Sequence, residues 1–177
     1  MRFVRDAFIT IVVLIVVVWF IAYYRVRAGG LAADAEPGQF ERAVATRLER
    51  LSIPAGAREL NNPMGTTDPT IWRTAADHYG DHCAGCHGKD GHGKTDMGEN
   101  LYPKTPDLAG PAVQRLSDGE LFYIIEFGVR FTGMPAWGDG SSEGEKIGWN
   151  LVHFIRRLPS LTPDEIAEIE QLNPKSP

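Results

Sequence analysis

Hydrophobic and polar positions divide the chain into three stretches of different character. Residues 7–24 form 18 consecutive uncharged positions rich in Ile and Val, bounded by Arg2, Arg5 and Asp6 before and by Arg25 and Arg27 after. At ~1.5 Å per residue, such a helix just crosses a bilayer core of about 30 Å. Trp19, Tyr23 and Tyr24 near one end suit the membrane–water interface. So little polarity disfavours a buried core helix, and residues 1–27 are expected to be an uncleaved transmembrane anchor. A cleavable signal peptide is the rival, because Ala33-Asp34-Ala35 loosely fits a cleavage site. Its apolar region should be shorter, at roughly 7–15 residues. Two Arg on each flank leave the orientation open.

Residues 28–69 are a different kind of sequence. Small residues with Gly29, Gly30, Pro37 and Gly38 read as a hinge over 28–38. Phe40, Val44, Leu48 and Leu51 then recur at helical spacing, with Glu41, Arg42, Arg47, Glu49 and Arg50 between them. This short amphipathic helix has three possible resting places: lipid headgroups, a partner subunit, or its own domain. Residues 52–69, with Pro54, Gly56, Pro63, Gly65 and Pro69, lack periodicity and are expected to be an extended linker.

From Thr70 the pattern is that of a helical domain, residues 70–177. One helix is predicted from Ile71 to His82. A capping box, Ser117-Asp118-Gly119-Glu120, opens a second with Leu121, Ile124 and Ile125 on one face and Gly128 as its stop. A third, over 143–158, aligns Ile147, Leu151, Phe154 and Leu158. Thr162-Pro163-Asp164-Glu165 starts a fourth. No strand alternation is visible, so the fold class is all-α.

Charge changes the picture in one respect. Residues 1–67 carry 8 basic and 6 acidic groups, whereas residues 68–177 carry 10 and 17. An acidic domain argues against nucleic acid and favours partners with a basic docking face.

The chemistry lies in Cys83-Ala84-Gly85-Cys86-His87, which contains both cysteines of the chain. A disulfide between them would close too short a loop to constrain the unfolded chain much, and a thioredoxin-like pair would need a βαβ pattern. The string is that of covalent haem attachment: two thiols on one helical turn can each form a thioether to a porphyrin vinyl group, and His87 follows to face the iron. Zinc is the chemical rival and would need a fourth ligand, such as His82 or His92. A low-spin carrier needs a second axial ligand, and Met raises the potential relative to a second nitrogen. Met134, in Thr132-Gly133-Met134-Pro135 between two helices, is the candidate; Met64 and Met97 are expected to be packing residues. His78, His82, His92 and His153 are read as surface or packing residues.

Tyr79 through Gly88, Thr105-Pro106-Asp107-Leu108, the 116–128 helix, Thr132 through Gly138, and the last long helix with Trp149, His153 and Phe154 resemble the class I cytochrome c family, most of all its bacterial, membrane-anchored, single-haem members. The resemblance covers about residues 70–160. It implies an all-helical fold wrapped on one covalent haem c, with Tyr79 packing near Phe154. It also implies that the Pro106 carbonyl accepts the other ring N–H of His87, although Pro103 is a rival acceptor. Trp137 would lie over a propionate or simply form a wall. Haem c is attached on the outer side of bacterial membranes, so the chain is expected to be single-pass in the cytoplasmic membrane with its domain in the periplasm.

Both axial positions filled by His87 and Met134 would leave no site for a small-molecule substrate. The expectation is therefore an electron-transfer protein, not an enzyme: a tethered carrier between respiratory or photosynthetic redox complexes, or a fixed haem subunit of one such complex. A peroxidase would need an open iron position with an acid–base group, for which His92 is the nearby candidate. A sensor would need an exchangeable ligand and an output segment inside.

Overall fold

The computed structural model describes residues 2–30, 32, 36–64 and 69–172, and the chain divides into two compact units between residues 36 and 37. In the first unit, α1 (Arg2–Arg27) extends the apolar run by a charged turn at each end. It is the one helix among the described residues long and apolar enough to cross a membrane, with a mean hydropathy of 2.7 over 18 residues. None of its side chains is buried, and Trp19 stacks on Tyr23 with ring centroids 5.5 Å apart. The candidate cleavage site Ala33-Asp34-Ala35 lies outside the described residues.

The second unit contains α2 (Gln39–Ser52), α3 (Ala55–Arg58), α4 (Pro69–His82), α5 (Ala84–His87), α6 (Asp96–Glu99), α7 (Pro111–Gln114), α8 (Asp118–Phe127), α9 (Ser142–Arg157) and α10 (Pro163–Leu172). Its described residues include no strand. Helices α8, α9 and α10 start where side chains replace the missing backbone partners of a first turn. At α8, Ser117 Oγ accepts from the Glu120 N–H at 3.2 Å while the Glu120 carboxylate accepts from the Ser117 N–H at 2.8 Å. Thr162 and Glu165 repeat the exchange at α10, and Ser141 caps α9 by accepting from Gly144 N–H.

The core forms where α4 and α8 pack on α9. Small Ala75 and Ala76 bring α4 close to α9, and Tyr79 of the same helix meets Phe154 at 4.5 Å between ring centroids. Trp72 also stacks on Phe154, and Arg157 covers Trp72. Phe122 of α8 lies flat on Trp149 at 4.1 Å. Arg156 joins α9 to α8 through Asp118 and reaches the carbonyl of Gln114.

The extended linker expected over 52–69 is in part a docked segment. Ile53 and Ala57 are buried, and α3 packs on α8, where Gly119 leaves no room for a side chain: a Cβ there would lie 1.8 Å from the Ala57 carbonyl oxygen. Asn62 donates to the Trp149 carbonyl at 2.8 Å, and His153 Nε2 lies 2.7 Å from the Met64 carbonyl. The apolar stripe of α2, by contrast, buries nothing.

Candidate haem site

The cysteine motif continues α4 rather than ending it. Cys83 N–H donates to the Tyr79 carbonyl and His87 N–H to the Cys83 carbonyl, each at 2.9 Å, so α5 follows α4 with only a local bend at Cys83. Cys83 and Cys86 thus sit one turn apart, and His87 is next in the chain. Both thiols are free. Burial pushes the Cys83 thiol up to about 12, with Cys86 adding to the shift, and burial also raises Cys86. Redox-active pairs have a lowered thiol, so this pair lacks their signature. Among the described residues no three His, Cys, Asp or Glu side chains converge on a point.

His87 is buried, and its Nδ1 has no hydrogen-bond partner of ordinary geometry. Burial pushes the imidazole pKa down, and the nearby Pro106 carbonyl partly opposes that shift. The approach of Pro106 is therefore felt electrostatically, without a well-formed bond. The neutral imidazole this favours is the form that binds metals. Gly85 faces open space, whereas Ala84 is fully buried in the core.

The stretch after His87 folds back on the motif. Gly93 N–H donates to the His87 carbonyl at 2.7 Å, and a Cβ at Gly93 would lie 2.7 Å from the Thr105 carbonyl oxygen, so residues 93 and 105–106 run side by side. Thr95 Oγ1 lies 2.8 Å from the Gly85 carbonyl and 3.1 Å from that of Cys86, and it caps α6 by accepting from Gly98 N–H. Tyr79 Oη donates to the buried Gly88 carbonyl at 2.7 Å. Leu108 N–H to the Gly91 carbonyl, 2.7 Å, and the His92–Asp107 pair, 3.0 Å, close the loop.

Met134 is half-buried on a loop tied to the end of α8. Val129 N–H donates to the Met134 carbonyl, Met134 N–H to Thr132 Oγ1, and Trp137 N–H to the Ile125 carbonyl, each at 3.1 Å. Gly128, at φ 65, permits the tight return: a Cβ there would meet the backbone of Met134, Pro135 and Ala136. Two contacts hold this loop to the His87 side of the domain. Gly133 lies against Leu101, and Trp137 meets His82, the residue before Cys83, at 5.1 Å between rings.

Other predicted residues fall elsewhere. Met64 is partly buried against the core, as packing requires, but Met97 is 59% exposed with its sulfur 3.3 Å from Cys86 Sγ, so it is not a core residue. His82, expected at the surface or in packing, is exposed and packs on Trp137, whereas the bonds of Thr95 to the cysteine turn have no counterpart in the sequence reading. The Thr95 N-cap was a usable signal; the pairing of His82 with Trp137 leaves none.

Two free thiols on one turn and an adjacent buried, neutral imidazole fit covalent haem. Residues 70–155 match the family model described as cytochrome C oxidase, cbb3-type, subunit III. The domain is a class I c-type cytochrome. A comparison with curated proteins finds no match. The cytochrome domain's cofactor is covalently bound haem c, and its chemistry is haem-based electron transfer. The matched segment excludes α2 and α3.

Proposed function

We propose that this chain is a membrane-tethered single-haem cytochrome that passes electrons between respiratory or photosynthetic complexes on the outer side of the cytoplasmic membrane. Cys83 and Cys86 hold the haem, His87 and Met134 are the axial ligands, and the Pro106 carbonyl orients the imidazole. The haem, when bound, supplies one-electron Fe(II)/Fe(III) exchange. The chain's own part is to hold both ligands on braced segments, which limits rearrangement on electron transfer. The observation that carries this reading is the buried His87, with the Pro106 carbonyl beside its ring, on the same turn as two free thiols. The loop that ties Met134 to α8 and to His82 supports the second ligand.

A potentiometric titration of the purified native protein and Met134→His tests it. The native protein should follow a single one-electron curve of about 59 mV per decade. The variant should stay low-spin with a lower midpoint, because a nitrogen replaces the thioether. An unchanged midpoint would remove Met134 from the iron.

One observation favours a second reading, a fixed haem subunit: the matching family is described as a subunit of an oxidase. Mild solubilisation separates the two. A carrier runs alone on a sizing column, and a subunit co-elutes with its complex.

A further inference from the structure

Where the segment before the acidic domain meets it, arginines from both gather in one patch. Arg47 and Arg50 of α2, Arg58 of α3 and Arg115 after α7 line a cavity of about 450 Å³, together with Leu51 and Glu120. Glu120 is already engaged, by Arg58 at 3.2 Å and by the Ser117 backbone. Among the described residues no carboxylate lies within ion-pair distance of Arg47, Arg50 or Arg115, although Glu49 acts on Arg50 through space. Four guanidinium groups around one carboxylate repel one another unless an anion joins them, and their planar forks match phosphate oxygens in pairs.

The surroundings of the cavity indicate where that phosphate comes from. Leu51 in its wall belongs to the stripe Phe40, Val44, Leu48 and Leu51, which are 84%, 40%, 61% and 65% exposed. An apolar stripe with arginines beside it is the pattern of a helix lying in the plane of a membrane interface. The eleven residues between Arg27 and Gln39 span at most ~40 Å when fully extended. An anchored α1 would therefore keep α2 within reach of the headgroups.

We propose that this arginine cavity binds the phosphate of an anionic lipid headgroup, while the α2 stripe lies among the acyl chains of the same leaflet. The proposal rests on the anchor reading above. Its effect is to hold the cytochrome domain at the membrane surface instead of leaving it to swing freely on residues 28–38.

Native mass spectrometry of the full haem-loaded chain in detergent, titrated with phosphatidylglycerol or phosphatidylcholine, tests it. The native protein should bind phosphatidylglycerol about tenfold more tightly, and Arg47→Gln/Arg115→Gln should lose that preference. Arg47→Lys/Arg115→Lys should keep most of it. Arg47→Gln/Arg50→Gln lies wholly on exposed α2 and should show the same loss without touching the cytochrome domain. Equal binding of the two lipids, or a preference that survives both Gln pairs, overturns the proposal. So does displacement of phosphatidylglycerol by equimolar inorganic phosphate, which would mark a site for a free anion. The same spectrum gives the intact mass. Loss of the first helix would refute the anchor independently of any lipid preference.

Discussion

Tyr79 places a buried hydroxyl opposite the Gly88 carbonyl, which is itself buried at the turn just after His87. Tyr79→Phe keeps the ring on Phe154 but leaves that carbonyl unpaired, at a cost of about 1–2 kcal/mol. Denaturant unfolding of the haem-loaded protein measures it; a change below a few tenths would mean that the bond is not formed. Glu126 adds a pH dependence. Burial, then Glu145 and Asp139, hold its carboxyl above the usual range. The folded protein thus binds this proton more tightly than the unfolded chain does, so the group's contribution to stability is present at low pH and falls as pH rises through the raised value. Glu126→Gln should therefore gain stability relative to the native protein as pH rises above the ordinary Glu range, and a difference that does not change with pH would contradict the shift. At this scale Cys83, Cys86 and His87 are legible because their spacing is itself the chemistry. The contact of His82 with Trp137 is not, because nothing periodic connects two residues so far apart in the chain.

Helices α4, α8, α9 and α10 are legible from their caps and stripes, since capping residues and apolar spacing are local signals. The docked segment around α3 is a different case. Pro54 and Gly56 interrupt any period, and only Ile53 and Ala57 are buried, too few to define a face. What holds them is a property of the partner helix: the missing side chain at Gly119. Gly119→Ala puts a methyl group into the Ala57 carbonyl and should detach residues 53–64 from α8. Limited trypsin digestion should then cut after Arg58 much faster than in the native protein, while the haem spectrum stays unchanged. Equal cleavage rates would show that the segment is not held through this contact.

The whole molecule joins an apolar helix suited to a membrane to an acidic cytochrome domain, with a basic cavity where the segment between α1 and α4 meets residues 112–120 of that domain. The helical class and the haem motif could be read in advance because both are written in short strings. The cavity could not, because its arginines come from α2, α3 and the end of α7 and meet only in the folded chain. Function depends on whether the iron keeps an open position: two protein ligands make a carrier, and one makes a binding or catalytic site. The direct measurement is the absorption spectrum of the reduced, purified protein before and after carbon monoxide, for the native chain and Met134→Ala. With Met134 on the iron, the native spectrum is low-spin and ignores carbon monoxide, and the variant binds it. A native protein that binds carbon monoxide readily would contradict ligation by Met134, and with it the electron-carrier reading.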